Sequence, residues 1–330
     1  MTEPRITGTR VVVPGQLAER AREIAAGRLS PAVPRDAATI MLLREGPGVE
    51  AYLLRRTRAL DFAPGACVFP GGSVDEPDAD PRIGWAGPSA ADVASRLGTS
   101  GERARALVCA AVRETFEESG VLLAGPSPAA LVDDSAALAA ERHLLLEGAT
   151  SFGEILGRLG LMLRADLLTP WARWVTPEAS PRRFDTWFFA AALPPGQTAA
   201  LAAPAEQTDR AEHAGHPDHE GRPGHEGHPD HEGRSDHGES DAGTWLRPAD
   251  ALESARAGRI TLLPPTAVTL GELTAHPSVA AVLAQRRAMT MRLPKVMVDG
   301  AKAWLALPDL SASDLSASDL SASDLDEPAP

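Results

Sequence analysis

Cysteine is scarce in this 330-residue chain, which holds only Cys67 and Cys109. Two thiols are too few for a disulfide framework or a cysteine zinc site, so both read as reduced core residues. Long apolar runs are missing too: Trp187 to Leu193, among the longest, falls far short of the roughly 20 residues of a membrane helix. The start, Met1-Thr2-Glu3-Pro4, has no charged-then-apolar signal pattern, and the end, Glu327-Pro328-Ala329-Pro330, lacks a Ser-Lys-Leu peroxisomal address. The expectation is a soluble, cytoplasmic protein that engages no membrane. Aromatics make up only 4% of the chain and form no basic, aromatic-interleaved stripe, so nucleic acid is not an expected partner.

A net charge of −13 looks like an acidic protein, but the charge is local. Residues 205–241 carry eleven acids against three arginines, and the tail from Asp309 carries six acids and no base, which leaves +1 for everything else. The first segment also holds seven of the nine histidines and repeats Gly-His-Pro-Asp-His-Glu-Gly-Arg; the second repeats Asp-Leu-Ser-Ala-Ser three times. Such compositions bury too little apolar surface to offset chain entropy, so both read as disordered. His216, His219, His225, His228 and His231 suit Zn²⁺, Ni²⁺ or Cu²⁺, yet an expanded surface linker is the favoured reading. The organisation expected is a leader over 1–36, one domain over 37–308 with insertions at 76–101 and 205–241, and an acidic tail over 309–330.

Strand-like segments are Ala37–Leu43, Ala51–Arg56, Ala66–Phe69, Val121–Leu123, Trp171–Val175, Phe184–Ala192 and Gly243–Leu246. Helical spacing marks Leu17–Ala26, Ser100–Ser119, Ala129–Leu146, Phe152–Leu159, Pro248–Ala257, Ala267–Thr274 and Val279–Arg287. The segment 76–101 reads as a loop with a single helical turn. This pattern predicts a mixed sheet between helices.

The chemistry is concentrated in Arg113-Glu114-Thr115-Phe116-Glu117-Glu118-Ser119-Gly120-Val121. Glu114, Glu117 and Glu118 stand at i, i+3 and i+4 on one helical face and can converge on one small volume. Acids in a last turn oppose the helix dipole, and Glu114 with Glu118 is a like-charge pair, each effect costing up to about 0.5–1 kcal/mol. Arg113 cannot offset all of that, whereas a hard divalent cation would. The alternative is a solvated acidic face.

Preceded by Cys67-Val68-Phe69-Pro70-Gly71-Gly72, this stretch resembles the signature of the Nudix hydrolases: a glycine, a loop, a glutamate, then Arg-Glu-apolar-X-Glu-Glu-X-Gly-apolar on a helix. Thr115 replaces the apolar residue. The family glutamate eight positions before the arginine falls on Arg105, so that ligand is either missing or replaced by Asp75 or Glu102. The expanded box resembles the branch that contains the peroxisomal coenzyme A diphosphatases, as do Trp174-Val175-Thr176-Pro177 and Arg182-Arg183-Phe184-Asp185-Thr186.

The resemblance implies an α/β/α sandwich, and a hydrolase that uses Mg²⁺ or Mn²⁺ to split a nucleoside diphosphate linked to another moiety. Coenzyme A or acyl-coenzyme A is the preferred substrate; NADH, nucleotide sugars and dinucleoside polyphosphates are alternatives, as is a non-catalytic nucleotide sensor. Carried over by motif position, Glu117 and Glu118 are the main metal ligands, Glu114 completes the site and acts as general base, with Glu102 as second choice, and Arg113 orients Glu114. Gly71 and Gly72 would approach metal or substrate through their backbone. Arg182 and Arg183 would clamp a phosphate or else pair with Asp185 or Glu178. Phe62, Phe69 and Trp174 would stack on adenine or sit in the core. Leu262 to Thr266 would line the pocket or simply start a helix. The partner expected is a small nucleotide, and a homodimer is compatible with this reading.

Overall fold

Apolar residues on both faces of the same strands decide the architecture, because such strands need a cover on each side. The computed structural model of the protein describes residues 11–13, 15–57, 64–202, 240–299 and 302–307. Strands β1 (Arg35–Gly46) and β2 (Gly48–Arg56) form an antiparallel hairpin paired at its closed end, Leu43–Gly46 against Gly48–Ala51. Farther out, β3 (Ala66–Val68) pairs with Leu54 and Arg55 of β2, while β4 (Gly71–Ser73) pairs with Ala37–Thr39 of β1. Strand β5 (Thr169–Val175) lies antiparallel to β6 (Phe184–Ala192), and β6 runs parallel to β1 from Phe184↔Arg35 to Ala192↔Leu43. Strand β7 (Ser240–Leu246) is antiparallel to β2, and the short strands Thr261–Leu262 and Met291–Arg292 flank the sheet.

Helix α1 (Gly15–Ala25) precedes the sheet. One face of the sheet is covered by α2 (Ala90–Leu97), α3 (Gly101–Ser119), α4 (Ala139–Leu146) and α5 (Phe152–Leu159). Ala38, Ile40, Leu42, Trp187 and Phe189 point into this core with Val112 and Phe116 of α3. Met41, Leu43, Phe188 and Ala190 alternate onto the other face. There they meet α1, α6 (Pro248–Arg256), α7 (Pro264–Leu273) and α8 (Val279–Leu283). The result is the expected mixed sheet between two helical layers. Val13 and Ala18 from the leader reach the second core, and Val11 and Val12 pair with Leu305 and Trp304 of the hairpin Lys295–Asp299/Lys302–Ala306.

Several elements differ from the sequence expectations. Within 76–101, Ser89 and Asp92 form a capping box and Gly98 closes α2 at φ 72°, giving a helix of two turns where a loop with a single turn was expected. Val121–Leu123 is fully buried but unpaired as strand; the ladder forms instead at Ala124–Gly125, against Met162–Arg164. The helix expected from Ala129 starts only at Ala139, because Asp134 caps a separate 3₁₀ turn over Ser135–Leu138. Helix α8 stops at Leu283, whose carbonyl accepts the Thr169 hydroxyl at 3.1 Å.

The histidine-rich stretch up to residue 239, the tail from 308 and Phe62 lie outside the described residues. Ser240 and Asp241 open β7, and Asp241 meets Arg55 at 2.6 Å. Among the described residues, no helix is long and apolar enough to cross a membrane.

Candidate active site

Helix α3 presents the acidic motif because its two ends are fixed: the Ser100 side chain caps the first turn, and Gly120 at φ 71° ends the last. Thr115 fits an apolar position because its hydroxyl donates back to the Ala111 carbonyl at 2.8 Å. Arg113, Glu114 and Glu117 are all buried.

A single guanidinium organises the site. Arg113 Nη1 donates to Glu114 Oε1 at 2.8 Å and to Glu117 Oε2 at 3.2 Å. Its Nη2 reaches the Ser73 carbonyl at 2.8 Å, and Nε and Nη2 together grip Asp78 at 3.0 and 2.9 Å. Asp75 stands at 3.4 Å. Burial opposes the charge on Arg113, but Glu114, Asp78 and Glu117 outweigh it and raise its pKa. Burial raises the carboxyl of Glu114 against the pull of Arg113; burial and then the charge on Glu114 raise that of Glu117.

Gly71 and Gly72 complete the arrangement. The Gly71 amide donates to Glu118 Oε2 at 2.7 Å. At Gly72 a Cβ would overlap the Glu114 carboxylate, so only glycine lets the strand come this close. Strand β4 and the last turns of α3 thereby bring together six residues singled out from the sequence: Gly71, Gly72, Arg113, Glu114, Glu117 and Glu118.

The three glutamates share a face but do not converge on one point. Arg113 stands between Glu114 and Glu117, and Glu118 turns to the Gly71 amide. Among the described residues, no group of three or more His, Cys, Asp or Glu side chains is gathered closely enough to hold an ion. The donor set still suits a hard cation. Four carboxylates lie within ion-pair reach of Arg113, and Glu118 adds another, so oxygen donors outnumber the single guanidinium among them.

The arginine pair expected to clamp phosphate is not part of this arrangement. Arg183 spends Nε on the Thr176 carbonyl at 3.0 Å and Nη1 on the Ala32 carbonyl at 2.7 Å, so it ties two loops together. Arg182 is exposed and makes no contact with the glutamates. Asp185 pairs instead with Arg103 and Arg173, each at 2.7 Å. Phe69 and Trp174 are core residues, Phe69 edge-on to Phe188 at 6.5 Å. Leu262 is buried in the second core and Pro264 begins α7.

Two residues were missed. Asp78, 2% exposed, meets Arg113 beside Asp75, whereas Glu102 lies twelve residues, about 18 Å of helix, before Glu114. The aligned position, Arg105, donates to the carbonyls of Asp80, Pro81 and Ile83 and so staples the insertion. The other is Arg142 of α4, which donates through Nε and Nη2 to the Glu117 carbonyl at 2.9 and 2.8 Å. The Asp in 76–101 was a visible signal; nothing local marked Arg142.

A sequence model of the NUDT19 Nudix domain matches residues 101–212. The chain is 29% identical over 208 residues to the acyl-coenzyme A diphosphatase NUDT19 of Gallus gallus, covering 48% of this chain and 55% of the relative. With the Homo sapiens protein of the same name it shares 32% over 182 residues, covering 44% and 48%. The chain thus spans about half the length of the curated relatives it matches. Among solved structures, a NUDIX hydrolase from Alicyclobacillus acidocaldarius superposes with a TM-score of 0.56 at 26% identity, over 78% of this chain and 99% of that one. With the motif on α3, the glycine approach on β4 and this shared fold, residues 101–212 match a NUDT19-type Nudix domain and the chain is similar in fold to the Nudix hydrolases.

Proposed function

We propose that this protein is a divalent-cation-dependent pyrophosphohydrolase that cleaves a nucleoside diphosphate linked to another moiety, with coenzyme A or acyl-coenzyme A as preferred substrate. The observation that carries the reading is Arg113 gripping Glu114 and Glu117 beside the Gly71–Gly72 backbone. The substrate preference is supported by the relatives named acyl-coenzyme A diphosphatase, at about 30% identity.

Glu117 and Glu118, with Glu114, are the residues that would hold Mg²⁺ or Mn²⁺. Such an ion, when bound, supplies Lewis-acid polarisation of phosphoryl oxygens and lowers the pKa of a bound water. The rest falls to the chain's own groups. Arg113 fixes the carboxylate of Glu114, which accepts a proton from the attacking water. Gly72 keeps the space above that carboxylate clear of a side chain. Glu114 and Glu117 are buried, so their charges act at lower dielectric than in water. Water attack on phosphorus then yields two phosphomonoesters; from coenzyme A these are adenosine 3′,5′-bisphosphate and phosphopantetheine.

The test is a substrate panel of coenzyme A, acyl-coenzyme A, NADH, a nucleotide sugar and a dinucleoside polyphosphate, each with Mg²⁺ or Mn²⁺. Phosphomonoester release should be fastest with a coenzyme A compound and should vanish in Glu117→Gln at unchanged folding. Turnover of none of these by the wild type, with binding retained, would establish a sensor instead.

A further inference from the structure

With Arg183 committed to backbone carbonyls and Arg182 away from the glutamates, neither of these arginines supplies a cation for an incoming phosphate. Arg142 meets that need. It is 9% exposed, yet among the described residues no carboxylate forms an ion pair with it; Nε and Nη2 both go to the Glu117 carbonyl. A buried guanidinium without a paired acid is costly. Burial lowers its pKa, while Tyr52, Glu118 and Glu117 act in the opposite direction.

Its third nitrogen is the informative one. Nη1 makes no hydrogen bond among the described residues, yet it is not among the sealed, orphaned buried atoms, so it keeps access to solvent. It lies over Gly120, where a Cβ would come within 2.9 Å of it. A glycine there leaves the amino group uncovered at the end of α3 that bears Glu117 and Glu118.

We infer that Arg142, from the helix after the acidic motif, is the phosphate-contacting residue of this site: Nε and Nη2 anchor it to the Glu117 carbonyl, and Nη1 faces the diphosphate. A two-point anchor pre-orients the third donor, so little side-chain entropy is lost when an anion arrives. The inference rests on the reading of the glutamate cluster as a phosphoanhydride site. Binding of ADP separates the two, because it requires no turnover.

The experiment is calorimetric titration of ADP in the presence of Mg²⁺ into wild type, Arg142→Met and Arg142→Gln, with a thermal melt of each. Gln can still donate to the Glu117 carbonyl, so it carries the test should Met fail to fold. Expected are at least tenfold weaker ADP binding in the folded variants and, with a hydrolysed substrate, a KM that rises more than kcat falls. A lower melting temperature with ADP affinity within twofold of wild type would reduce Arg142 to a helix cap and overturn the inference. So would a wild type that does not bind ADP. Loss of all turnover in the wild type alongside normal ADP binding would sink the catalytic reading and leave this one standing.

Discussion

Asp78 and Arg113 meet at two points, Nε to Oδ1 at 3.0 Å and Nη2 to Oδ2 at 2.9 Å, across 35 residues of chain. Both are almost completely buried. Through this contact the insertion that lengthens the motif holds the arginine that holds the glutamates. Removing one partner of a buried pair typically costs about 3–5 kcal/mol, because the other charge is left uncompensated. Asp78→Ala should lose about that much stability in urea unfolding and at least tenfold in turnover, while Asp78→Glu should recover part of both. Full activity in a folded Asp78→Ala protein would remove the arginine from the mechanism.

Gly72→Ala tests the close approach of β4. The added methyl would overlap the Glu114 carboxylate, which would have to move. A misplacement of about 1 Å can cost on the order of 100-fold in rate. Turnover should fall by that order with circular dichroism unchanged, and wild-type kinetics would show that Glu114 does not need its observed position.

The two arginines of the 180s should behave differently from each other. Arg182→Ala is expected to leave stability and KM unchanged. Arg183→Ala leaves the carbonyls of Thr176 and Ala32 without their donor and should destabilise by about 1–3 kcal/mol, again with KM unchanged. A KM rise in either variant would restore the phosphate-clamp reading.

Acid stability should depend on Asp185. Burial pushes its pKa up, but hydrogen bonds from Arg173 and Arg103 more than offset this, so the native value lies below the ordinary one. A depressed native pKa contributes stability that is full above the unfolded value of about 3.9 and is lost as pH falls from there through the native value. The contribution of Asp185 to the unfolding free energy should therefore be lost below about pH 4 in the wild type. In Asp185→Asn the slope below about pH 4 should be shallower.

Divalent cations should stabilise the folded chain through Glu114, Glu117 and Glu118. At a concentration of about 100 times Kd the gain is about 2.7 kcal/mol, enough to raise Tm by several degrees. The gain should disappear on adding a chelator and in Glu117→Gln. An equal gain in that variant would place the ion elsewhere.

The acidic helix was readable because its signals are local. Ser100, the i, i+3, i+4 glutamates and Gly120 lie within one stretch, and the helix spans Gly101–Ser119. Strand β6 and helix α5 fall where periodicity placed them, at Phe184–Ala192 and Phe152–Leu159. Misreadings arose where distant partners decide. Arg183 looked available until Ala32, 151 residues away, took its Nη1. The 76–101 segment looked like a loop with one helical turn because alanine, proline and glycine hid the Ser89 cap of α2. The hairpin over Lys295–Asp299 and Lys302–Ala306 was overlooked, since only its pairing with Val11–Val12 and its side chains in the second core give it a place.

The sequence by itself determined which residues are acidic, that three of them share a helical face, and that glycines precede them, because side-chain identity and helical period are local properties. Only the tertiary structure decided that Asp78 is the acid Arg113 grips, that Arg142 stands over the end of the helix, and that Arg183 is occupied. Those pairings depend on how segments tens of residues apart pack across one sheet, and no spacing along the chain encodes them.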